Sequence, residues 1–388
     1  MPRNRVLLVL ALAGALSAAG LAFLTQAPNR LLSGRPISVA AAAEGADLLL
    51  LLSLWVPGIV LLAGAFMPPR RAVHGVVALS AAAFMVALSW LAGAHASALA
   101  DTSAPAARTS LGAGFWALLA CAALALMDSA KRLNLSRAAA VAGGAVIAAA
   151  LVLLAATGVL DQLSLAREYA VRREVFADAL ARHLAIVTGA LLPALAIGLP
   201  LGMLAQRRRR LAAWLFPVLN AVQTIPSIAL FGLLLVPLAA LAVAFPRLAQ
   251  LGISGVGLAP ALIALVLYLL LPVVRNAAEG LAGVSPAVIE AARGMGMSAR
   301  QILWRVEFPL ALPVLLSGLR IATVQAVGLA AVAALIGAGG LGAIMFQGLF
   351  ANAPDLTLLG ALPVIALALA ADGLLRLLTA WAERLPGD

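Results

Sequence analysis

Ser285-Pro286-Ala287-Val288-Ile289-Glu290-Ala291-Ala292-Arg293-Gly294-Met295-Gly296 decides how this chain is read. The stretch lies in a long polar-tolerant segment between two strongly apolar runs of the C-terminal half. Pro286 suits the first turn of a helix, where a missing N–H costs nothing. The residues through Arg293 continue as a short helix. Gly294 and Gly296 break it, because glycine reaches left-handed backbone at a helix end. Ser298 is placed to cap a second helix, Ala299 to Glu307, and Pro309 opens the next apolar span. Helix, glycine turn and helix form a compact knob. On the water side of a membrane protein such a knob is a docking element for a soluble partner. The bland alternative is an ordinary amphipathic helix at the interface.

The composition supplies the membrane. Of 388 residues, 64% are hydrophobic and 11% charged, with mean hydropathy +1.10. Soluble domains carry roughly a quarter charged residues. The net charge of +11 does not imply nucleic acid, because the basic residues sit in short loops between apolar runs, the positive-inside pattern. Lys131 is the sole lysine. It is followed by Arg132 and no glycine-rich loop precedes it, which excludes a P-loop. If ATP drives this protein, a separate subunit binds the ATP. Cys121 is the one cysteine, so no disulfide forms within the chain. Nothing in the residue types suggests a catalytic group, a metal site or a bound cofactor.

Outward from the knob, the chain reads as about ten transmembrane helices of an all-α polytopic protein. Residues 1–160 hold five apolar spans, near 6–24, 47–67, 73–95, 111–128 and 138–160. The first follows Met1-Pro2-Arg3-Asn4-Arg5 and is read as an uncleaved helix rather than a signal peptide. Pro68-Pro69-Arg70-Arg71 and Lys131 to Arg137 are short and basic, hence inside; 27–46 and 96–110 are outside. Residues 161–182 alternate charges with apolar residues at helical spacing and are read as an amphipathic periplasmic connector, with a plain linker as the alternative. Residues 183–388 hold five more spans, near 183–205, 211–241, 252–275, 309–335 and 357–380, with the loop 276–308 containing the knob. Arg207 to Arg210 is the strongest inside marker, and counting spans places the knob and both termini in the cytoplasm.

Two further strings interrupt apolar spans. Gln223-Thr224-Ile225-Pro226-Ser227 sits in the second span of this half. Pro226 removes a donor and kinks the helix, while Gln223, Thr224 and Ser227 satisfy freed carbonyls locally or line an aqueous path. Gly337-Ala338-Gly339-Gly340-Leu341-Gly342 ends the fourth span, and its four glycines permit a tight turn and close helix approach. Arg320 and Asp372 come closest to intramembrane charge, with pairing between them an option and a structural role favoured for Arg320.

Glu290-Ala291-Ala292, three residues, Gly296, nine residues, and Val306-Glu307-Phe308-Pro309 resemble the EAA loop of ABC-importer permeases. The Gln223–Ser227 string, the Gly337–Gly342 run, Leu270–Arg275 and Gly318–Arg320 resemble the osmoprotectant group, importers of glycine betaine, choline and carnitine. The five extra spans look like the YehY-type long form. The resemblance covers about residues 180–380 and implies a five-helix type I, MetI-like permease core. It implies a coupling loop formed by Glu290, Ala291, Ala292, Arg293, Gly294, Gly296, Phe308 and Pro309. It implies a translocation path and gate at Gln223, Thr224, Pro226, Ser227, Gly337, Gly339, Gly340 and Gly342. The implied partners are two ATP-binding subunits, a second permease (the same chain or a paralogue), a periplasmic or lipid-anchored binding protein and membrane lipid, in the bacterial inner membrane. A methionine or other amine importer is the runner-up. An ion-coupled secondary transporter would need intramembrane carboxylates, and Asp372 is its sole candidate.

Overall fold

The computed structural model describes residues 3–29, 32, 34–250 and 253–383. Residues 384–388, the end of the C-terminus read as cytoplasmic, lie outside the described residues. Two compact units divide at Val171/Arg172, inside the segment read as a connector.

The first unit contains α1 (Arg5–Gly20), β1 (Leu24–Ala27), β2 (Arg35–Ile37), α2 (Val39–Ala43), α3 (Leu48–Gly64), α4 (Arg71–Thr102), β3 (Arg108–Leu111), α5 (Ala113–Arg132), α6 (Arg137–Ala156) and α7 (Ser164–Val171). α4 packs against α3, α5 and α6, and α1 lies on α5 and α3. The segments read as outside loops are more ordered than expected. β1, β2 and β3 form an antiparallel sheet in the order β2-β1-β3, with Leu24 opposite both Ile37 and Leu111. Phe23 and Leu24 are fully buried beneath it. Gly112 permits this closure, because a Cβ there would run into the Ala22 carbonyl. α6 is strongly apolar yet buries none of its residues within the chain.

The second unit contains α8 (Arg173–Arg207), α9 (Arg209–Thr224), α10 (Ser227–Ala244), α11 (Pro246–Gln250), α12 (Leu258–Ala282), α13 (Pro286–Gly294), α14 (Ala299–Ile302), a π-helical turn (Leu303–Glu307), α15 (Phe308–Val332), a 3-10 turn (Ala333–Ile336), α16 (Leu341–Phe350) and α17 (Pro354–Ala382). α12 is central, touching α8, α9, α10 and α15. Its contact with α8 follows a stripe that turns from Ile186 to small residues. Ile186, Ala190, Ala194, Gly198 and Gly202 recur every fourth residue, and a Cβ on Gly198 or Gly202 would press into Val273 or Ala277 at 2.7 and 2.5 Å. Small residues at this spacing let helix backbones approach where no hydrophobic effect drives association.

Eight helices among the described residues are long and apolar enough to cross a bilayer, and α1 and α3, at 16 and 17 residues, are shorter apolar helices. The count of about ten therefore holds. Three boundaries change. The span read as 211–241 is two helices, α9 and α10, broken at Ile225-Pro226 rather than kinked. The connector is helical on both sides of Arg172: α7 ends before it and α8 starts after it. The second helix of the knob does not stop at Glu307. It continues through the π turn into α15, giving one helical path from Ala299 to Ile336.

Candidate functional site

The knob is built by local chemistry. Pro286 occupies the first turn of α13. The helix includes Gly294, so Gly294 does not break it; Gly296 does, at φ +79°. The Met297 N–H bonds the Ala292 carbonyl at 3.2 Å and the Gly296 N–H bonds the Arg293 carbonyl at 2.9 Å, a Schellman closure. Ser298 then caps α14 in a reciprocal box: its Oγ accepts from the Gln301 N–H at 3.4 Å, and its own N–H donates to Gln301 Oε1 at 2.8 Å. Such a cap contributes about 1 kcal/mol. The π turn has a cause in the sequence. Pro309 has no N–H to place in the helical ladder, and the Phe308 N–H reaches back to the Leu303 carbonyl instead.

Of α13, only Ala292 is buried. Glu290, Ala291, Arg293, Gly294 and Gly296 are exposed, and a Cβ at either glycine would meet nothing within 4 Å. Val288, Met295 and Trp304 are exposed apolar side chains on the same knob, and Trp304 packs on Phe308 with centroids 5.3 Å apart. The knob thus presents an acidic residue and apolar knuckles with little of its own chain behind them. One ion pair ties it back, Arg207 Nη2 to Glu307 Oε2 at 3.4 Å. The arginine run read as a topology marker therefore also fixes the π turn to the end of α8.

Halfway along the unit, the break at Pro226 creates a polar cluster. Gln223 Nε2 donates to the Tyr268 carbonyl, the Tyr268 hydroxyl donates to the Ile225 carbonyl, and Gln325 Nε2 reaches Gln223 Oε1 at 3.4 Å. The carbonyl freed at the break is satisfied by a tyrosine from α12, as a break inside an apolar span requires. Thr224 is exposed and bonds back to the Ala221 carbonyl at 2.7 Å, so it does not join the cluster. Pro226 is exposed as the cap of α10, and Ser227 is half-buried beside it. Tyr268 and Gln325 were not singled out from the sequence. A lone tyrosine and glutamine inside apolar runs were the available signal.

The glycine run lies at the end of the unit opposite the knob. Gly337, Gly339 and Gly340 all have positive φ, between 78° and 83°, a region that favours glycine. Gly342 has no room for a side chain, since a Cβ would run into the Ala331 carbonyl. The Gly257 N–H, at the start of α12, bonds the Ile336 carbonyl at 2.7 Å. From α8, Arg182 Nε donates to the Ala338 carbonyl at 3.1 Å. His183 lies beneath Gly340, fully buried beside the Val327 backbone, with neither ring nitrogen in a regular hydrogen bond. Arg182 and His183 were missed in the sequence, where Arg182 reads as the last residue of an amphipathic connector and His183 as the first of an apolar span.

Arg320 does pair with Asp372, Nε to Oδ1 at 3.8 Å, and Arg376 shares the same carboxylate one turn further along α17. The carboxylate is thus neutralised from two sides. No group of three or more His, Cys, Asp or Glu residues able to hold a metal occurs among the described residues.

The comparisons with known proteins match both units. Residues 198–384 match the family described as binding-protein-dependent transport system inner membrane component, and residues 3–166 match the N-terminal domain of the ABC transporter permease YehY. The choline transport system permease protein OpuBD of Bacillus subtilis is 37% identical over 227 residues, 58% of this chain and 91% of its own. The glycine betaine/carnitine/choline transport system permease protein OpuCD of the same organism is 38% identical over 204 residues, 52% of this chain and 80% of its own. The osmoprotectant import permease protein OsmW of Salmonella typhimurium is 42% identical over 194 residues, 50% of this chain and 85% of its own. About half of this chain is therefore shared with these relatives, and the chain belongs to the binding-protein-dependent ABC importer permeases, with a YehY-type N-terminal domain ahead of the permease core.

Proposed function

We propose that this chain is the membrane path of an importer for a quaternary ammonium osmoprotectant such as glycine betaine, choline or carnitine. The observation that carries the coupling half is the knob, exposed on every residue of α13 but two and continuous through the π turn with α15. The names of the relatives and the Gln223–Ser227 string support the substrate half. Two copies of an ATP-binding subunit would seat the knobs of two permeases, which are two copies of this chain or this chain and a paralogue. A binding protein on the far side delivers the solute. The knob, Arg207 to Arg210 and both termini face the cytoplasm.

In this reading the permease performs no bond chemistry and binds no cofactor; ATP is held by the partner. Closure of the ATP-binding subunits draws the knobs together, and α15 carries the motion toward the glycine turn. Transport requires two states that differ in their contacts with the partners. The Gln223–Tyr268–Gln325 cluster supplies polar atoms along the path, while the glycine turn acts as a gate.

The test is ATPase activity of the reconstituted complex with its cognate binding protein, measured with glycine betaine, choline, carnitine and methionine. Stimulation by a quaternary ammonium compound is expected. Stimulation by methionine alone keeps the coupling and overturns the substrate. Failure of any ATP-binding subunit to associate overturns the knob assignment.

A further inference from the structure

The first unit contains an apolar groove that the transport reading does not use. It has a cavity volume of about 260 Å³. It is lined by Leu7, Gly14 and Ala18 of α1, Leu54 and Gly58 of α3, Phe84 of α4 and Cys121 of α5. From Leu7 to Ala18 the α1 wall runs about 16 Å at 1.5 Å per residue. That is about half of the ~30 Å hydrocarbon core of a bilayer, the depth of one leaflet. Trp55 also lines the groove and is more than half exposed, at 54%. An apolar groove of this volume and of one-leaflet length suits a single hydrocarbon chain.

The Leu7 end of the groove carries a cationic rim. The starts and ends of the helices are laced together there: Arg3 N–H and Asn4 N–H both donate to the Ala65 carbonyl at 2.9 and 3.0 Å, and Asn4 Nδ2 donates to Asp128 Oδ2 at 2.9 Å. Arg3 and Arg5 flank the start of α1, Arg70 and Arg71 the start of α4, and Lys131 and Arg132 the end of α5. Asp128 is engaged by Arg132 at 2.8 Å. The other five cations are exposed and form no ion pair among the described residues. Topology alone accounts for basic residues at this end. It does not account for their position at the mouth of a groove one leaflet deep.

We infer that the first unit binds one anionic glycerophospholipid, with an acyl chain in the groove between α1, α3 and α5 and the phosphate headgroup on the arginine rim. The groove alone would accept any acyl chain. The five unpaired cations select the anionic headgroup, each near-surface basic residue adding to the attraction. A bound lipid fills space between helices that otherwise lose contact atoms on one side. It would also hold the start of α1 to α3 and α5 from outside. This inference rests on the reading of the first unit as membrane-embedded and does not depend on which solute is imported.

Full-length protein in detergent, titrated with phosphatidylglycerol or phosphatidylcholine carrying brominated acyl chains, tests it. The readout is quenching of Trp55, isolated by difference against Trp55→Phe. The expected result is one saturable site that prefers phosphatidylglycerol at least thirty-fold. Arg5→Gln with Arg71→Gln should lower that preference about thirty-fold with an unchanged size-exclusion profile. Ala11→Phe, which fills the groove, should remove Trp55 quenching by either lipid. Equal quenching by both headgroups would mean ordinary boundary lipid and overturn the proposal. Absence of saturable quenching by either would mean that protein covers the groove, and overturn it equally.

Discussion

The two ends of the second unit are both turns between helices, and they are built in opposite ways. At the knob, Gly294 and Gly296 face open space, one residue of α13 is buried, and the turn between α13 and α14 is closed by hydrogen bonds made within residues 292–301. At the glycine turn, Gly340 rests on His183, Gly342 abuts Ala331, and Arg182 and Gly257 bond into the turn from two other helices. The knob keeps its shape by itself and leaves its surface for something else. The glycine turn has its shape imposed by neighbours, and of its four glycines Gly337 alone is exposed. A part that hands force to another molecule must be self-supporting, whereas a part that opens and closes within the chain must be held by contacts that can be exchanged.

Substitution breaks this contrast most sharply at the glycines. Gly342→Leu should cost more than about 4 kcal/mol, because the backbone of Ala331 cannot yield, and the protein should fail to accumulate in membranes; Gly294→Leu should be tolerated, as read by thermal unfolding in detergent. Next is Glu290→Lys. It should lower solute uptake by the complex more than tenfold while leaving the unfolding midpoint of the permease unchanged, and normal uptake would remove the knob from the coupling path. A smaller effect is expected at His183→Leu. A buried imidazole without hydrogen bonds carries a desolvation cost of about 1–3 kcal/mol, so an apolar replacement should raise stability by up to about that amount; a lowered midpoint would mean that the ring is satisfied after all. The smallest is Ser298→Ala, worth about 1 kcal/mol of cap, which should loosen α14 locally. Amide hydrogen exchange should speed up at residues 298–302 and stay unchanged at 337–342.

What the sequence disclosed tracks this same division. The knob was legible nearly residue by residue, because Pro286, Gly296 and Ser298 act on neighbours within a turn. The errors there were Gly294, which stays inside the helix, and Pro309. Read as the opening of a new span, it instead shifts the register of a helix that was already running. The glycine run was legible as a turn, but its seat was not, since Arg182 and His183 come from a segment 156 residues away in the case of the Arg182–Ala338 bond. Tyr268 at the Pro226 break is the same case: the need for a donor could be inferred, its source could not. The sheet was missed because its strands are three or four residues long and alternate too briefly for a period to show. Pairing of Arg320 with Asp372 could be raised only as an option, because isolated charges inside apolar spans have few partners to choose from but the sequence does not fix how the two helices pack.

The helical path that the π turn preserves is 38 residues long, from Ala299 to Ile336, or about 57 Å at 1.5 Å per residue. It starts on the knob and ends one residue before Gly337. Turned as one body about its knob end by about 5°, such an arm sweeps its far tip through about 5 Å, close to one helical pitch. A lever of that length can magnify a small tilt at one surface of the membrane into the width of a small solute at the other, with no relay of side chains in between.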